Sequence, residues 1–351
     1  MSDIVIVPKK QVERASKVVR NMDTASDEEI RRAIDVIAAW RNMHTRPLGV
    51  INMLVRRYTT LGRWPSALVA RRLKRIPSII GKLQRYPQMS LTRMQDIGGV
   101  RVIVDSIQDV KDLHAALKDR KRSRHALVLP PSDYIEEPKP DGYRSLHQVF
   151  RYDSTQYKQF NGLRIELQIR TRLQHAWATA VETLGAVEKA SFKTGEGDES
   201  IKRFFRLASA LFSLDEGQPV LDCCAGIPPK TLVEEFEWLD SELQARAKLK
   251  ALTVRLPIGR KTMSKHCLLL LVLKIGQGNG NSTLQYSSFD EWSMAEMVYT
   301  SLEKQYWEDP QTQVLLLYTD NILELKQAYP NYYLDASLFL ENIQRICDKY
   351  R

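Results

Sequence analysis

Two short stretches decide the fold: DIGGVRVIVDS at residues 96–106 and LRIELQIRT at residues 163–171. Apolar and polar residues alternate in both, which is the period of a half-buried β-strand. The apolar positions are Val100, Val102 and Val104 in the first stretch and Leu163, Ile165, Leu167 and Ile169 in the second; the polar positions of the second are Arg164, Glu166, Gln168 and Arg170. We therefore expect two strands of one sheet, with one buried face and one polar face.

Helices and further strands are predicted around this pair. Helices are expected over residues 10–43, with an N-cap at Thr24 or Ser26, and over 78–87, 110–119, 172–184, 201–250, 289–307 and 337–350. Additional strands are expected at 144–152, 252–257, 266–275 and 314–320. Residues 193–200, KTGEGDES, are rich in glycine and acidic residues and predict a linker.

These patterns predict an α+β protein of three parts. An N-terminal helical segment covers residues 1–44, a first α/β unit covers 45–192, and a smaller C-terminal α+β domain, interpreted as regulatory, covers 201–351. The chain has 351 residues, 43% hydrophobic and 27% charged, a globular composition with room for two domains.

Membrane insertion, secretion and structural zinc are not indicated. The longest apolar run, Cys267–Leu273, is far shorter than the roughly 20 residues of a membrane-spanning helix. The N-terminus has no signal-peptide pattern, and the four cysteines lack zinc-ligand spacing. We therefore expect a cytoplasmic protein with reduced thiols.

The positive charge is concentrated in the first half. The net charge is +10, but residues 1–190 hold 34 Lys and Arg against 20 Asp and Glu, whereas the remainder holds 18 against 22. Residues 41–95 carry twelve Lys and Arg and no acidic residue. Because ordinary solvated surfaces mix both signs, this segment favours a polyanionic ligand, a nucleotide or nucleic acid, over a merely basic surface.

Four segments of the first half hold candidate site residues. They are RLKRIPSIIGK at 72–82, DIGGVR at 96–101, PKPDGYRSLH at 138–147 and IELQIRT at 165–171. Asp96 precedes one strand and Glu166 lies on the polar face of another, where a carboxylate is costly unless it is paired. Two separated carboxylates among many cations suit a magnesium site for phosphoryl-type transfer. Two buried salt bridges to arginine explain them equally well.

In this order, the four segments resemble the hallmarks of the RelA/SpoT-type alarmone synthetase domain: R-x-K…S, D-I-x-G-x-R, P-K-P-x-G-Y-x-S-x-H and E-x-Q-x-R-T. The resemblance covers residues 45–190. It implies a mixed β-sheet flanked by helices, similar to nucleotidyltransferases. It also implies Mg²⁺-dependent transfer of the β,γ-pyrophosphate of ATP to the 3′-hydroxyl of GDP or GTP, with AMP leaving.

The resemblance also implies residue roles. Asp96 and Glu166 correspond to the magnesium carboxylates, and Glu166 to the group that draws the proton from the attacking hydroxyl. The residues that correspond to ATP ligands are Arg72, Lys74, Ser78, Lys82 and Arg101. Those that correspond to ligands of the acceptor nucleotide are Lys139, Tyr143, Arg144, His147 and His175, with Tyr143 stacking on guanine.

Two alternatives stay open. Some small relatives of the family are toxins that transfer pyrophosphate to the 3′-terminal adenosine of tRNA; the C-terminal domain would then be a built-in antitoxin or the sensor of a protein trigger. A non-catalytic nucleotide sensor is the other alternative, although Asp96, Tyr143 and Glu166 are all present. No His-Asp dipeptide occurs, so alarmone hydrolysis is not expected. Small synthetases of this family are often oligomers, so the resemblance also suggests a homo-oligomer.

Overall fold

The computed structural model describes residues 4–120, 123–187, 198–252, 267–274, 283–289, 291–306, 309, 312–319 and 336–351. The helices are α1 (Lys9–Arg20), α2 (Asp27–Met43), α3 (Thr45–Leu61), α4 (Ile76–Arg85), α5 (Ile107–Lys118), α6 (Arg172–Val187), α7 (Glu199–Asp215), α8 (Pro229–Leu243), α9 (Ala245–Leu252), α10 (Trp292–Gln305) and α11 (Ser337–Tyr350). The strands are β1 (Leu68–Leu73), β2 (Gly98–Val104), β3 (Ala126–Asp133), β4 (Leu146–Arg151), β5 (Arg164–Thr171), β6 (Cys267–Lys274), β7 (Thr283–Phe289) and β8 (Thr312–Thr319).

The first five strands form one sheet in the order β1-β2-β5-β4-β3. The two stretches of alternating apolar and polar residues, β2 and β5, pair in parallel at its centre, and the other neighbours are antiparallel. The expected α+β class with a mixed sheet flanked by helices is therefore confirmed.

One face of this sheet packs on helices, and the other face carries the polar side chains. Val100, Val102 and Val104 of β2 and the alternate residues Ile165, Leu167 and Ile169 of β5 share a buried core with α3 and α5. The polar alternates of the same strands point to the opposite face, as the alternation predicts. One face of the sheet thus belongs to the buried core, and the other presents polar side chains.

The N-terminal helices form a second core with α4. Residues of α1, α2 and α4 pack around Ile37, Ile79 and Leu83, all fully buried. Within the helical region predicted over 10–43, α1 ends at Arg20, and Ser26 begins α2 with a complete capping box to Glu29. The predicted N-cap at Ser26 is thus confirmed.

The C-terminal residues contribute to two different structures. Helices α7, α8, α9 and α11 share one large core with α6, and Tyr143 also belongs to this core. The remaining elements form a three-stranded antiparallel sheet in the order β7-β6-β8, against which α10 packs through Tyr299. The division of the chain into three domains stays a prediction.

Three strands lie where none was predicted: β1, β3 and β7. Adjacent arginines in LVARRL and two prolines in ALVLPPSD hide the alternation of β1 and β3. Residues 253–257 of one predicted strand and residues 193–197 of the predicted linker lie outside the described residues. Asp198 caps α7, because its Oδ1 accepts a hydrogen bond from the Ser200 N–H. None of the described helices has the length and apolar character needed to cross a bilayer.

Candidate active site

The polar face of the five-stranded sheet is the floor of a cleft of about 940 Å³. Its walls are α4, the segment 86–96 that precedes β2, and the turn at 139–143. The charged residues among the described lining are Arg72, Lys74, Lys82, Arg93, Arg101, Lys139, Arg164 and Arg170 with Asp96, Asp141, Glu166 and Glu182. Twice as many cations as carboxylates line the cleft, so it favours an anionic ligand.

Strand register places the floor residues in two rows. One row across the sheet reads Arg72, Gly99, Glu166, Val149 and Val128. The next row reads Ala70, Arg101, Gln168, His147 and Ser132. Residues far apart in the sequence are thus neighbours because five strands are paired in one register.

The two glycines of DIGGVR serve the two faces of the sheet. A Cβ at Gly98 would lie 2.7 Å from Ile165 Cδ1, on the side packed against α3. A Cβ at Gly99 would meet no atom within 4 Å, since it would project into the cleft between Arg72 and Glu166. Gly98 therefore allows close packing, and Gly99 leaves the floor of the cleft open.

One end of the cleft, the lysine end, consists of Lys74, Lys82 and Asp96. Lys74 Nζ lies 2.8 Å from Asp96 Oδ2, and Lys82 Nζ lies 3.0 Å from each Asp96 oxygen. Burial opposes the charge on Asp96, yet the two ammonium groups hold the pKa of this carboxyl well below its usual range. Burial also lowers the pKa of Lys74, although Asp96 counteracts this effect. The lysine end is a preformed cluster of two cations and one ionised carboxylate.

The other end, the aromatic end, consists of Tyr134, Lys139, Tyr143 and His147. Lys139 Nζ lies 4.2 Å from the centroid of the Tyr134 ring and 5.1 Å from that of Tyr143. The rings of Tyr134 and Tyr143 both meet the His147 imidazole edge to face. This end of the cleft combines flat apolar surface with cationic groups, which suits a base carrying phosphate.

His147 links the aromatic end to Glu166. Its Nε2 lies 2.9 Å from the Tyr143 hydroxyl and its Nδ1 lies 3.0 Å from Glu166 Oε1. Burial alone would lower the pKa of His147, but Tyr143 and Glu166 raise it to about 9. At neutral pH both ring nitrogens therefore carry protons, and Nδ1–H donates to the carboxylate.

Glu166 is ionised in this arrangement. Burial and the charge of Asp96 raise its pKa, but the hydrogen bonds and charge of His147 and a bond from Gln168 outweigh them and lower it. Gln168 Nε2 donates to Glu166 Oε2 at 2.7 Å, and Arg170 Nη2 donates to Gln168 Oε1 at 3.1 Å. The carboxylate is held on both oxygens and stays available to a ligand in the cleft.

The turn that carries Tyr143 is supported by helices α6 and α7. Gly142 has φ +95°, and its carbonyl oxygen accepts a hydrogen bond of 2.6 Å from Ser209 Oγ. A Cβ at Gly142 would lie 3.0 Å from the Trp177 ring, and Trp177 Nε1 in turn donates to the Phe205 carbonyl at 2.8 Å. Contacts with α6 and α7 therefore determine the conformation of the turn that carries Tyr143.

Nine of the twelve site residues predicted from sequence line this cleft. They are Arg72, Lys74, Lys82, Asp96, Arg101, Lys139, Tyr143, His147 and Glu166. Three others are placed elsewhere. Ser78 is half-buried in the first turn of α4, His175 is buried on α6, and Arg144 is 2% exposed and pairs at 2.8 Å with Glu216 at the end of α7. Their binding roles stay predictions, and Arg144 has a structural partner instead.

Several lining residues were not singled out from the sequence. Gln168 and Arg170 share the polar face of β5 with Glu166, so the alternation that selected Glu166 could have selected them too. Burial and the nearby positive charge of Arg101 lower the pKa of Arg170 to about 10. Tyr134 follows β3, a strand whose two prolines hide its alternating pattern. No sequence pattern therefore pointed to Tyr134.

The donor set suits a magnesium ion better than a transition metal. Within the described ranges, no group of three or more His, Cys, Asp and Glu side chains is arranged to ligate a metal. Asp96 and Glu166 supply two ionised carboxylates in one cleft whose charged lining is mainly cationic. Mg²⁺ is commonly held by one or two carboxylates together with substrate phosphates. The residues present therefore fit this ion.

The first half of the chain is similar in sequence to known proteins. Residues 71–193 match the model of the region found in RelA/SpoT proteins. The GTP pyrophosphokinase YjbM of Bacillus subtilis is 35% identical over 159 residues, which cover 43% of this chain and 70% of YjbM. The GTP pyrophosphokinase YwaC of the same organism is 34% identical over 113 residues, 31% of this chain and 52% of YwaC. The chain thus spans about half of YwaC.

Two solved structures each align with about half of this chain. Small alarmone synthetase 1 of Bacillus subtilis, bound to its product pppGpp, aligns with a TM-score of 0.43 and 25% identity over 51% of this chain and 93% of that one. A GTP pyrophosphokinase family protein of Streptococcus pneumoniae aligns with a TM-score of 0.42 and 27% identity over 51% and 88%. From the family match and the extent of YjbM that it covers, the chain belongs to the RelA/SpoT family.

Proposed function

We propose that this protein is a magnesium-dependent pyrophosphokinase that transfers the β,γ-pyrophosphate of ATP to the 3′-hydroxyl of GDP or GTP and releases AMP. The observation that carries the proposal is the pair of ionised carboxylates, Asp96 and Glu166, on the floor of a cleft in which cations predominate. Phosphoryl-type transfer depends on positioning and charge neutralisation, and this cleft supplies both. The relatives named GTP pyrophosphokinase support the same activity.

The bonds formed and broken in this reaction require a base, and we assign that role to Glu166. The 3′-oxygen of the acceptor forms a bond to the β-phosphorus, and the bond from that phosphorus to the α,β-bridging oxygen breaks, so that AMP leaves. The hydroxyl proton must go to a base. His147 is already protonated at neutral pH, whereas Glu166 is ionised and able to accept the proton.

The two ends of the cleft would divide the substrates. Lys74 and Lys82 would bind the polyphosphate of ATP, with Arg72 and Arg101 on either side of the adenine. Tyr143 would stack on the acceptor base, and Lys139 would bind acceptor phosphate. A magnesium ion held by Asp96 and Glu166 would neutralise phosphate charge between the two sites.

The test is a labelling experiment with the purified full-length chain. The protein is incubated with Mg²⁺ and γ-labelled ATP, with GDP, GTP, ATP or deacylated tRNA offered separately and Glu166→Gln as the control. Label in a guanosine tetra- or pentaphosphate supports the proposal, and its loss when Mg²⁺ is chelated supports the metal requirement. Label on tRNA would replace the proposal with the tRNA-modifying toxin. No transfer to any acceptor would contradict both.

A further inference from the structure

Glu303, on helix α10, makes three buried contacts outside the cleft. Its Oε2 lies 2.7 Å from Arg41 Nη1, its Oε1 accepts a hydrogen bond of 2.9 Å from the Tyr299 hydroxyl, and the same oxygen accepts one of 3.0 Å from the Ile76 N–H. Arg41 is fully buried and Glu303 is 6% exposed. This carboxylate joins three elements: α2, α4 and α10.

The contact with Ile76 is a helix cap supplied from a distant part of the chain. The first N–H groups of a helix lack partners within it, and the N-cap residue of α4, Arg75, provides no side-chain hydrogen bond. Pro77, the second residue of α4, has no N–H. A carboxylate at this position both accepts a hydrogen bond and complements the positive end of the helix dipole.

Helix α4 in turn forms one wall of the lysine end. Lys82 projects from α4 toward Asp96, and Lys74 lies in the short connection between β1 and α4. Strand β8 of the C-terminal sheet lies beside β1. The C-terminal sheet and α10 therefore support the elements that present both lysines, and Glu303 provides a buried polar contact between α10 and α4.

We propose that Glu303 is a positioning residue for ATP, which fixes α4 so that Lys82 and Lys74 converge at the lysine end. The inference rests on the proposed function, because it takes the lysine end as the ATP side. The acceptor side has a counterpart in Glu216, the C-cap residue of α7, which pairs with Arg144 at 2.8 Å beside Tyr143. Each end of the cleft is thus supported by a different carboxylate from beyond residue 198.

The experiment measures nucleotide binding without turnover. Titration calorimetry with Mg²⁺ and a non-hydrolysable ATP analogue, and separately with GDP, is carried out on the full-length wild type, Glu303→Gln and Glu216→Gln. For Glu303→Gln we expect the affinity for the ATP analogue to fall by about tenfold or more and that for GDP to change less than about twofold, since small displacements of binding groups have large effects. For Glu216→Gln we expect the opposite pattern.

Tyr299→Phe provides a milder variant if Glu303→Gln does not fold, because it removes one hydroxyl from Glu303 and keeps the ring. It should weaken the ATP analogue selectively, by a smaller factor. Equal loss of both ligands, or no loss of either, would overturn the positioning role and leave the proposed function intact. A wild-type protein that binds neither nucleotide would overturn the proposed function and the inference together.

Discussion

The two ends of the cleft hold their carboxylates in different ways. Asp96 is neutralised by two lysines on flexible stems, whereas Glu166 is held by His147 of the neighbouring strand β4 and by Gln168 of its own strand β5. We expect phosphate oxygens to replace Asp96 as partners of the lysines through movement of the side chains alone. The difference indicates that the lysine end is adapted to exchange ionic partners and the aromatic end to keep its geometry.

At the aromatic end the hydrogen bonds form one continuous chain. The chain runs from Tyr143 through His147, Glu166 and Gln168 to Arg170. Because each member orients the next, loss of one side chain is expected to disturb its neighbours. The lysine end has no such continuity among its described contacts, since both lysines meet only at Asp96.

The largest expected effect is at Glu166. The difference between the two ends of the cleft predicts that a substitution here abolishes pyrophosphate transfer but leaves ATP binding intact. Glu166→Gln keeps the shape and a hydrogen-bonding side chain but removes the base, so transfer should fall by about 100-fold or more. Rapid-mixing assays of label transfer and calorimetry with an ATP analogue measure the two quantities. Transfer at the wild-type rate would contradict the assignment of Glu166 as the base.

Tyr143 tests whether the aromatic end binds the acceptor alone. Tyr143→Ala should weaken acceptor binding by about 1–3 kcal/mol, the usual contribution of a base stacked on an aromatic ring, and leave the ATP analogue unaffected. Tyr143→Phe is the matched control, because it keeps the ring and removes only the bond to His147. Equal weakening of both substrates by Tyr143→Ala would show that the two ends are not separate.

The adjacent glycines allow stability and substrate binding to be separated. Gly99→Val should change the free energy of unfolding by less than about 0.5 kcal/mol, since its side chain enters open space, yet lower substrate affinity. Gly98→Val should instead destabilise by about 1–3 kcal/mol, because it overpacks the contact with Ile165. Chemical denaturation and calorimetry together distinguish the two; a destabilised Gly99→Val protein would contradict the open floor.

The smallest expected effect concerns the proton on His147. Its pKa is raised to about 9 in the folded protein, above the ordinary value near 6.5, so its pairing stabilises the fold fully below about pH 6.5 and is lost as the pH rises through 9. NMR titration of the imidazole should show this raised midpoint. The stability difference between wild type and His147→Gln should shrink from pH 6 to pH 10; an ordinary midpoint would contradict the imidazolium–carboxylate pair.

The sequence was most informative where one face of a strand is apolar. The alternation in β2 and β5 predicted both strands and the polar face that carries Glu166. It could not show β1 or β3, since two adjacent arginines and two adjacent prolines break the pattern. Those strands form the two edges of the sheet, where pairing with one neighbour imposes weaker constraints on sequence.

Most individual site residues could be predicted from the sequence, but the tertiary contacts that support them could not. Motifs indicated nine residues that line the cleft, because each motif places its charged or aromatic side chains within one short segment. The partners Ser209, Glu216 and Glu303 lie far along the chain from Gly142, Arg144 and Ile76. Such pairings depend on tertiary packing, which short-range periodicity does not record. This also explains why Arg144, placed inside a motif, faces Glu216 and not the cleft.

The membership of Tyr143 in the large helical core has a consequence for the order of folding. Phe339, Ile343, Ile346 and Cys347 of α11 are fully buried in that core, although α11 follows Tyr143 by more than half the chain. Contacts between such distant segments must overcome a large loop-closure entropy and form late. The lysine end likewise depends on Glu303, which lies 227 residues after Ile76, so we expect both ends of the cleft to become fully ordered only when the C-terminal helices dock.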